Sequence, residues 1–172
     1  MKKISLKKIA TCGVLSGLAL ISFVIESALP PLFIPGARLG VSNVFILLSA
    51  ILLGSPYAVF TLVIKTVLGS VFSGNISALL YSLPSGLVAL SIELLLINKA
   101  RKLSIPAVSL VGAVINNVIQ NVVFCLITST WDYLTYSPYL MLIGLASGLF
   151  VGFAVYLVIK LVPNSVYDKI NQ

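Results

Sequence analysis

Apolar residues run through this chain in long blocks, separated by short breaks rich in Pro, Gly, Ser and charge. Blocks of roughly 15–25 apolar residues are what bilayer-crossing helices require. The first block, Ile9 to Leu29, follows a basic start containing Lys2, Lys3, Lys7 and Lys8. It is too long for the apolar region of a signal peptide, and no small-residue cleavage site follows it, so it reads as a span. Pro30, Pro31, Pro35 and Gly36 then break the helix. The second block, Leu39 to Leu53, is short for a full crossing and points to a helix tilted against its neighbours or partly buried in protein. Gly54-Ser55-Pro56 and Ser73-Gly74-Asn75 bracket a third span, Tyr57 to Phe72. The fourth is Ile76 to Ile97, with Pro84 inside it as a tolerable kink. A basic loop, Asn98 to Ser104, leads to the fifth, Ile105 to Thr128, and an aromatic loop, Ser129 to Ser137, leads to the sixth, Pro138 to Val162. The expectation is one all-α, six-helix transmembrane domain over residues 1–172, with no soluble domain and no internal repeat.

Composition agrees. Of 172 residues, 59% are hydrophobic and 9% charged, with a mean hydropathy of +1.15. A soluble domain carries about 25% charged residues, so this chain has too little charge to cover a water-facing surface. The net charge of +7 could suggest nucleic acid, but the charges sit at the ends of apolar blocks, the pattern that orients membrane proteins. With six spans, one side holds Lys2, Lys3, Lys7, Lys8, Lys99, Arg101, Lys102, Lys160 and Lys169; the other holds only Arg38, and Lys65 falls inside the third span. The positive-inside rule then places both termini in the cytoplasm of a multi-pass cell-membrane protein. Cys12 and Cys125 fall at opposite sides, roughly 25 Å apart at helical rise, too far for a disulfide.

The polar residues inside the spans are candidates for function, because such groups are costly there. Glu26 and Asn43 lie in the outer parts of spans one and two, Arg38 ends the first outer loop, and Lys65 sits mid-span. Span five carries Asn116, Asn117, Gln120 and Asn121. Residues 117, 120 and 121 share a face that Phe124 and Thr128 continue. One reading is a polar cavity opening outward under the Pro-rich first loop. The plainer one is that the amides glue helices together and that Glu26 pairs with Lys65 or Arg38. The cluster as a whole favours the cavity. Glu26, Arg38 and Lys65 sum to one positive charge, which an anionic group would complete. Trp131, Tyr133, Tyr136 and Tyr139 read as an interfacial aromatic belt. Glu93 is expected to reach the cytoplasmic interface near Lys99 or Arg101. Small residues at Ala10, Gly13 and Gly17 line one stripe of span one, suited either to a neighbouring helix or to docking another membrane subunit.

Equally informative is what the chain lacks. It has no His, no G-x-x-x-x-G-K-[ST] phosphate loop, no Cys cluster and no Asp-rich magnesium-diphosphate motif; its acids are Glu26, Glu93, Asp132 and Asp168. No nucleophile–base pair can be named. The expectation is a non-enzyme with no metal and no cofactor.

Two motifs carry a resemblance. Pro35-Gly36-Ala37-Arg38-Leu39-Gly40-Val41-Ser42-Asn43 resembles the P-G-x-[KR]-L-G-x-x-N signature of the Gx transporter family, whose members are often labelled heptaprenyl diphosphate synthase component I. Ser109 to Gln120 resembles that family's S-x-x-G-A-x-x-H-N-x-x-Q, with Asn116 where the family has His; hydrogen bonding survives there, a titrating imidazole does not. Tyr81 to Gly86 and Gly144 to Gly152 fit more generically. The family is similar to the substrate-binding S components of energy-coupling factor transporters. That resemblance implies six helices with both ends cytoplasmic, a small-molecule site in an outer cavity under the first loop, and docking through span one to a transmembrane coupling protein driven by an ATPase pair. On this basis Glu26, Arg38, Asn43, Lys65, Asn117, Gln120 and Asn121 are expected to bind substrate, and Ala10, Gly13 and Gly17 to dock the partner. The substrate would be a micronutrient or a small anionic or aromatic, quinone-related molecule. The alternatives are a membrane anchor or accessory component of a heptaprenyl diphosphate synthase in menaquinone biosynthesis, and a stand-alone secondary transporter.

Overall fold

The computed structural model describes residues 6–28, 40–100 and 103–162. Among these the chain is all helical: α1 (Leu6–Ala28), α2 (Val41–Leu52), α3 (Ser55–Phe72), α4 (Ser77–Lys99), α5 (Ile105–Thr128) and α6 (Ser137–Leu161), with a short 3-10 helix at Trp131–Tyr136. The protein is a polytopic membrane protein. Five segments are long and apolar enough to cross a membrane, α2 being the shorter apolar helix. Helix α5 starts at Ile105 as the pattern of breaks suggested, while α3 starts two residues and α6 one residue earlier; Pro56, Pro106 and Pro138 lie in first turns, where the missing N–H has no intrahelical partner to lose. The aromatic loop is likewise helical in part, over Trp131–Tyr136.

Close approaches give the packing order. Side chains of α1 meet α3 at Cys12–Tyr57 and Ser16–Thr61, a constant offset that makes these two helices parallel. Gly144, Gly148 and Gly152 of α6 face Val114, Leu110 and Pro106 of α5 in descending order, so those helices run antiparallel. This stripe sets how near the two backbones come. A Cβ on Gly148 would lie 2.7 Å from the Leu110 Cα, closer than packed carbon atoms tolerate.

At 12 residues, α2 is about 18 Å long by helical rise, against a hydrocarbon thickness of about 30 Å. It is buried on nearly every side: Ser42, Val44 and all five residues from Ile46 to Ala50 are shielded. A helix surrounded by protein is hydrophobic all round and need not match the bilayer. Its partners are distributed over two clusters. Val44, Leu47 and Leu48 pack with Cys12 and Leu15 of α1 and Val151 and Val155 of α6. Ile46 and Ala50 pack with Ala58 and Leu62 of α3 and Leu90 of α4. Gly54, at φ +103°, makes the α2–α3 connection in a conformation that a side chain would strain. A buried hydroxyl seam joins α1, α2 and α3: Ser16 donates to Thr61 Oγ1 at 3.1 Å, and Thr61 donates to Ser49 Oγ at 3.4 Å.

The lipid-facing side is apolar. Ile21, Phe60, Val71, Leu80, Leu142 and Phe153 are among the exposed large side chains, as expected where lipid rather than water is the solvent. Both cysteines are free and buried.

The two glycine stripes predict opposite outcomes. Gly148→Val should destabilise the detergent-solubilised protein by about 1–3 kcal/mol through overpacking against α5. Gly13→Leu, whose Cβ meets nothing within 4 Å, should leave stability within about 0.5 kcal/mol. Denaturant unfolding followed by circular dichroism measures both.

Candidate functional site

The sequence-derived site residues do not share one role in the fold. Glu26, near the end of α1, accepts a hydrogen bond from the Val41 N–H at 2.8 Å through Oε1. It therefore satisfies one of the orphan donors at the start of α2, and its charge suits that end of the helix dipole. Its other oxygen is buried and has no hydrogen-bond partner among the described residues. Lys65 is buried in α3, donates to Asn43 Oδ1 at 3.0 Å and lies 5.3 Å from the centre of the Phe23 ring, within range of a cation–π attraction. Glu26 and Lys65 thus have separate partners. Arg38 lies outside the described residues.

The α5 amides divide by face. Asn117 donates to the Leu140 carbonyl at 2.9 Å. Asn121 donates to the Tyr133 carbonyl at 3.0 Å and to Ser137 Oγ at 2.9 Å. Both hold the 3-10 segment and the start of α6 against α5, so their N–H groups are occupied by structure. Gln120 is half-buried. Nearby, Phe124 meets Tyr81 and Tyr133 edge-on at centroid distances of 5.7 and 5.4 Å, while Trp131 and Tyr139 stay exposed.

A pocket of about 450 Å³ of atom-free space, part of it open to the outside, lies between α2, α3, α4, α5 and α6. Its apolar walls include Ile46, Leu62, Leu90 and Val151, and its polar groups are Asn43, Glu93, Ser109, Asn116 and Ser147. Sequence reasoning picked out Asn43 among these, named Asn116 only as a member of the span-five amide cluster, expected Glu93 at the cytoplasmic interface, and passed over Ser109 and Ser147. On α5 the lining residues are Ser109, Gly112, Ala113 and Asn116, the i, i+3, i+4, i+7 spacing of one helix face. That face is one step round from the Asn117–Asn121 face.

Glu93 departs most from expectation. It turns inward, lining the pocket, and its Oε1 occupies the place where a Cβ on Gly112 would sit. Gly112 is what makes room for it. The reach toward Lys99 is not made: among the described residues the carboxylate has no ion pair. The signal that could have found this is Gly112 itself, a glycine inside a helix opposite an acid on the preceding span.

The charge around the pocket also differs from the sequence-based picture. Among the described residues Glu93 is the charged member of its lining, and no Lys or Arg lines it. Among the described residues no three His, Cys, Asp or Glu side chains come together as a metal site.

Comparison with known families decides the kinship. The family model for heptaprenyl diphosphate synthase component I matches residues 15–158, more than four fifths of the chain and part of every helix. The chain belongs to the heptaprenyl diphosphate synthase component I family. Its description makes the family a component of a synthase, and the membrane-embedded helices fit an accessory role. No curated protein and no solved structure matched the chain.

If the Asn121 amide acts as a brace, Asn121→Ala should cost about 1 kcal/mol, the usual worth of such a hydrogen bond. It should also speed hydrogen exchange in residues 131–137 while leaving α2 and α3 unchanged. Exchange mass spectrometry reads this directly.

Proposed function

We propose that the chain is the membrane-embedded substrate-binding subunit of an energy-coupling factor type uptake transporter, taking a micronutrient-sized or quinone-related molecule. The observation that carries the reading is the pocket itself: a partly open, mostly apolar cavity among five helices, with a few convergent polar groups, the usual form of a small-molecule site. Asn43 binds substrate directly and Lys65 fixes the orientation of its amide. Glu26 sets the start of α2, and Asn117 and Asn121 shape the site by holding α6. Gln120 and Arg38 belong to its mouth. The carboxylate in the lining, with no cation beside it among the described residues, weighs against an anionic cargo.

Partner docking falls to α1. Cys12, Leu15, Ser16, Ala19 and Phe23 form its inward face, whereas Ala10 and Gly13 are exposed and nothing lies within 4 Å of a Cβ built on Gly13 or Gly17. Among the described residues these glycines face no neighbour, unlike those of α6, and a second helix could approach closely there. The partner would be a transmembrane coupling protein with its ATPase pair. Both termini of the chain would lie in the cytoplasm and the domain in the cell membrane, without catalysis or a cofactor of its own.

The second reading follows from the family's description: a membrane anchor or accessory component of a heptaprenyl diphosphate synthase in menaquinone biosynthesis. In that case α1 would face the synthase assembly instead.

Affinity purification of the tagged chain from its host in mild detergent separates the two. Recovery of a membrane coupling protein with paired ATPases is the expected result; recovery of a soluble prenyl synthase without ATPases would establish the second reading. Gly13→Leu should reduce partner recovery at least tenfold while leaving the chain folded and its ligand binding intact.

A further inference from the structure

Three polar side chains that line the pocket make no hydrogen bond among the described residues: the Glu93 carboxylate, the Ser109 hydroxyl and the Asn116 amide. Their neighbours are all engaged. Asn43 is held by Lys65, Ser147 donates to the Gly144 carbonyl at 3.3 Å, and Asn117 and Asn121 bond to α6 and the 3-10 segment. Ser109 is only 2% exposed and lines the cavity, with no hydrogen-bond partner for its hydroxyl among the described residues. A carboxylate inside the bundle without a partner is costlier still, and in a membrane span such a group marks a binding function by default.

The three groups converge by construction. The Glu93 carboxylate sits over Gly112, and Ser109 and Asn116 lie one turn to either side of Gly112 on the same face of α5. By helical rise they are about 4.5 and 6 Å from it along the axis. The set offers one negative charge, a hydroxyl oxygen and an amide oxygen, all able to accept hydrogen bonds. Among the described residues no Lys or Arg lines the pocket to neutralise the acid. Beside them, Leu62, Leu90 and Val151 form an apolar wall.

We infer that this pocket binds an organic cation, with a protonated amine seated on Glu93, Ser109 and Asn116 and a small apolar body against Leu62, Leu90 and Val151. An ammonium group is the complement of that set: up to three N–H donors for three acceptors, and a charge that offsets the buried carboxylate. The apolar wall favours an amine on a hydrocarbon body over a bare metal ion, which would require several more oxygen ligands. This names the substrate class of the site in the reading above and rests on that pocket being the substrate site. It does not depend on which proteins assemble with the chain.

The test is thermal unfolding of the full-length purified protein in detergent, at fixed pH and ionic strength. The added probes are benzylammonium chloride, benzyl alcohol, sodium benzoate and sodium chloride. Benzylammonium should raise Tm in a saturable way, since a ligand that binds only the folded state stabilises it; the alcohol, benzoate and sodium chloride should not. Glu93→Gln should weaken benzylammonium binding at least tenfold. Ser109→Ala, a smaller change that keeps the charge, should weaken it several-fold and serves if Glu93→Gln does not fold. A wild-type Tm unmoved by benzylammonium, raised equally by benzyl alcohol, or raised only by sodium would overturn the assignment, as would full benzylammonium binding by Glu93→Gln. Partner recovery is a separate measurement, so failure here leaves the transporter-subunit reading standing on its own test.

Discussion

Lipid tails form no hydrogen bonds, so a polar group within the bundle has to find its partner in the protein. Most of this architecture follows from how that requirement is met. The hydroxyls of Ser16, Thr61 and Ser49 bond to one another and tie three helices together. Glu26 turns to a backbone N–H that the short α2 would otherwise leave bare. Asn117 and Asn121 take carbonyls at the start of α6 and in the segment before it. Each bond joins one element to another, so polar satisfaction and helix arrangement are one problem.

Glycine solves the complementary problem of distance. With no hydrophobic effect between helices in lipid, association relies on close contact and interhelical hydrogen bonds. The Gly144, Gly148 and Gly152 stripe lets α6 lie against the α5 backbone, and Gly69 admits the Phe23 ring. Gly112 is used differently: it admits a carboxylate, and so decides that an acid near the end of α4 points into the bundle. The space left between five helices becomes a pocket because α2 is short and central while the helices around it are long.

The hydropathy pattern made the six helices and the shortness of α2 legible, because the length of an apolar block is a local property and the bilayer sets a threshold for it. The start of α3 was less clear, because Pro56 looked like part of a break but lies inside the first turn. For the site, spacing identified span five as the polar helix, yet it could not tell the Asn116 face from the Asn117–Asn121 face. Those faces differ by a small rotation about the helix axis, and the rotation is set by where α6 and its glycines press. Asn43 was found from the chain; Ser109 and Ser147 were passed over because a serine in a membrane helix usually satisfies itself on its own backbone.

The sequence alone determined the solvent of this protein, its helical class and the surplus of positive charge at one set of helix ends, since all three depend on composition and order along the chain. Only the tertiary structure decided which polar groups are spent on holding helices together and which remain for a ligand. Two stripes of the same small residue illustrate the difference. Those of α1 and α6 look alike in sequence, but α6 buries its glycines against α5 while Gly13 and Gly17 of α1 face open space. A glycine's role depends on the helix opposite it, and that is a property of the packed bundle.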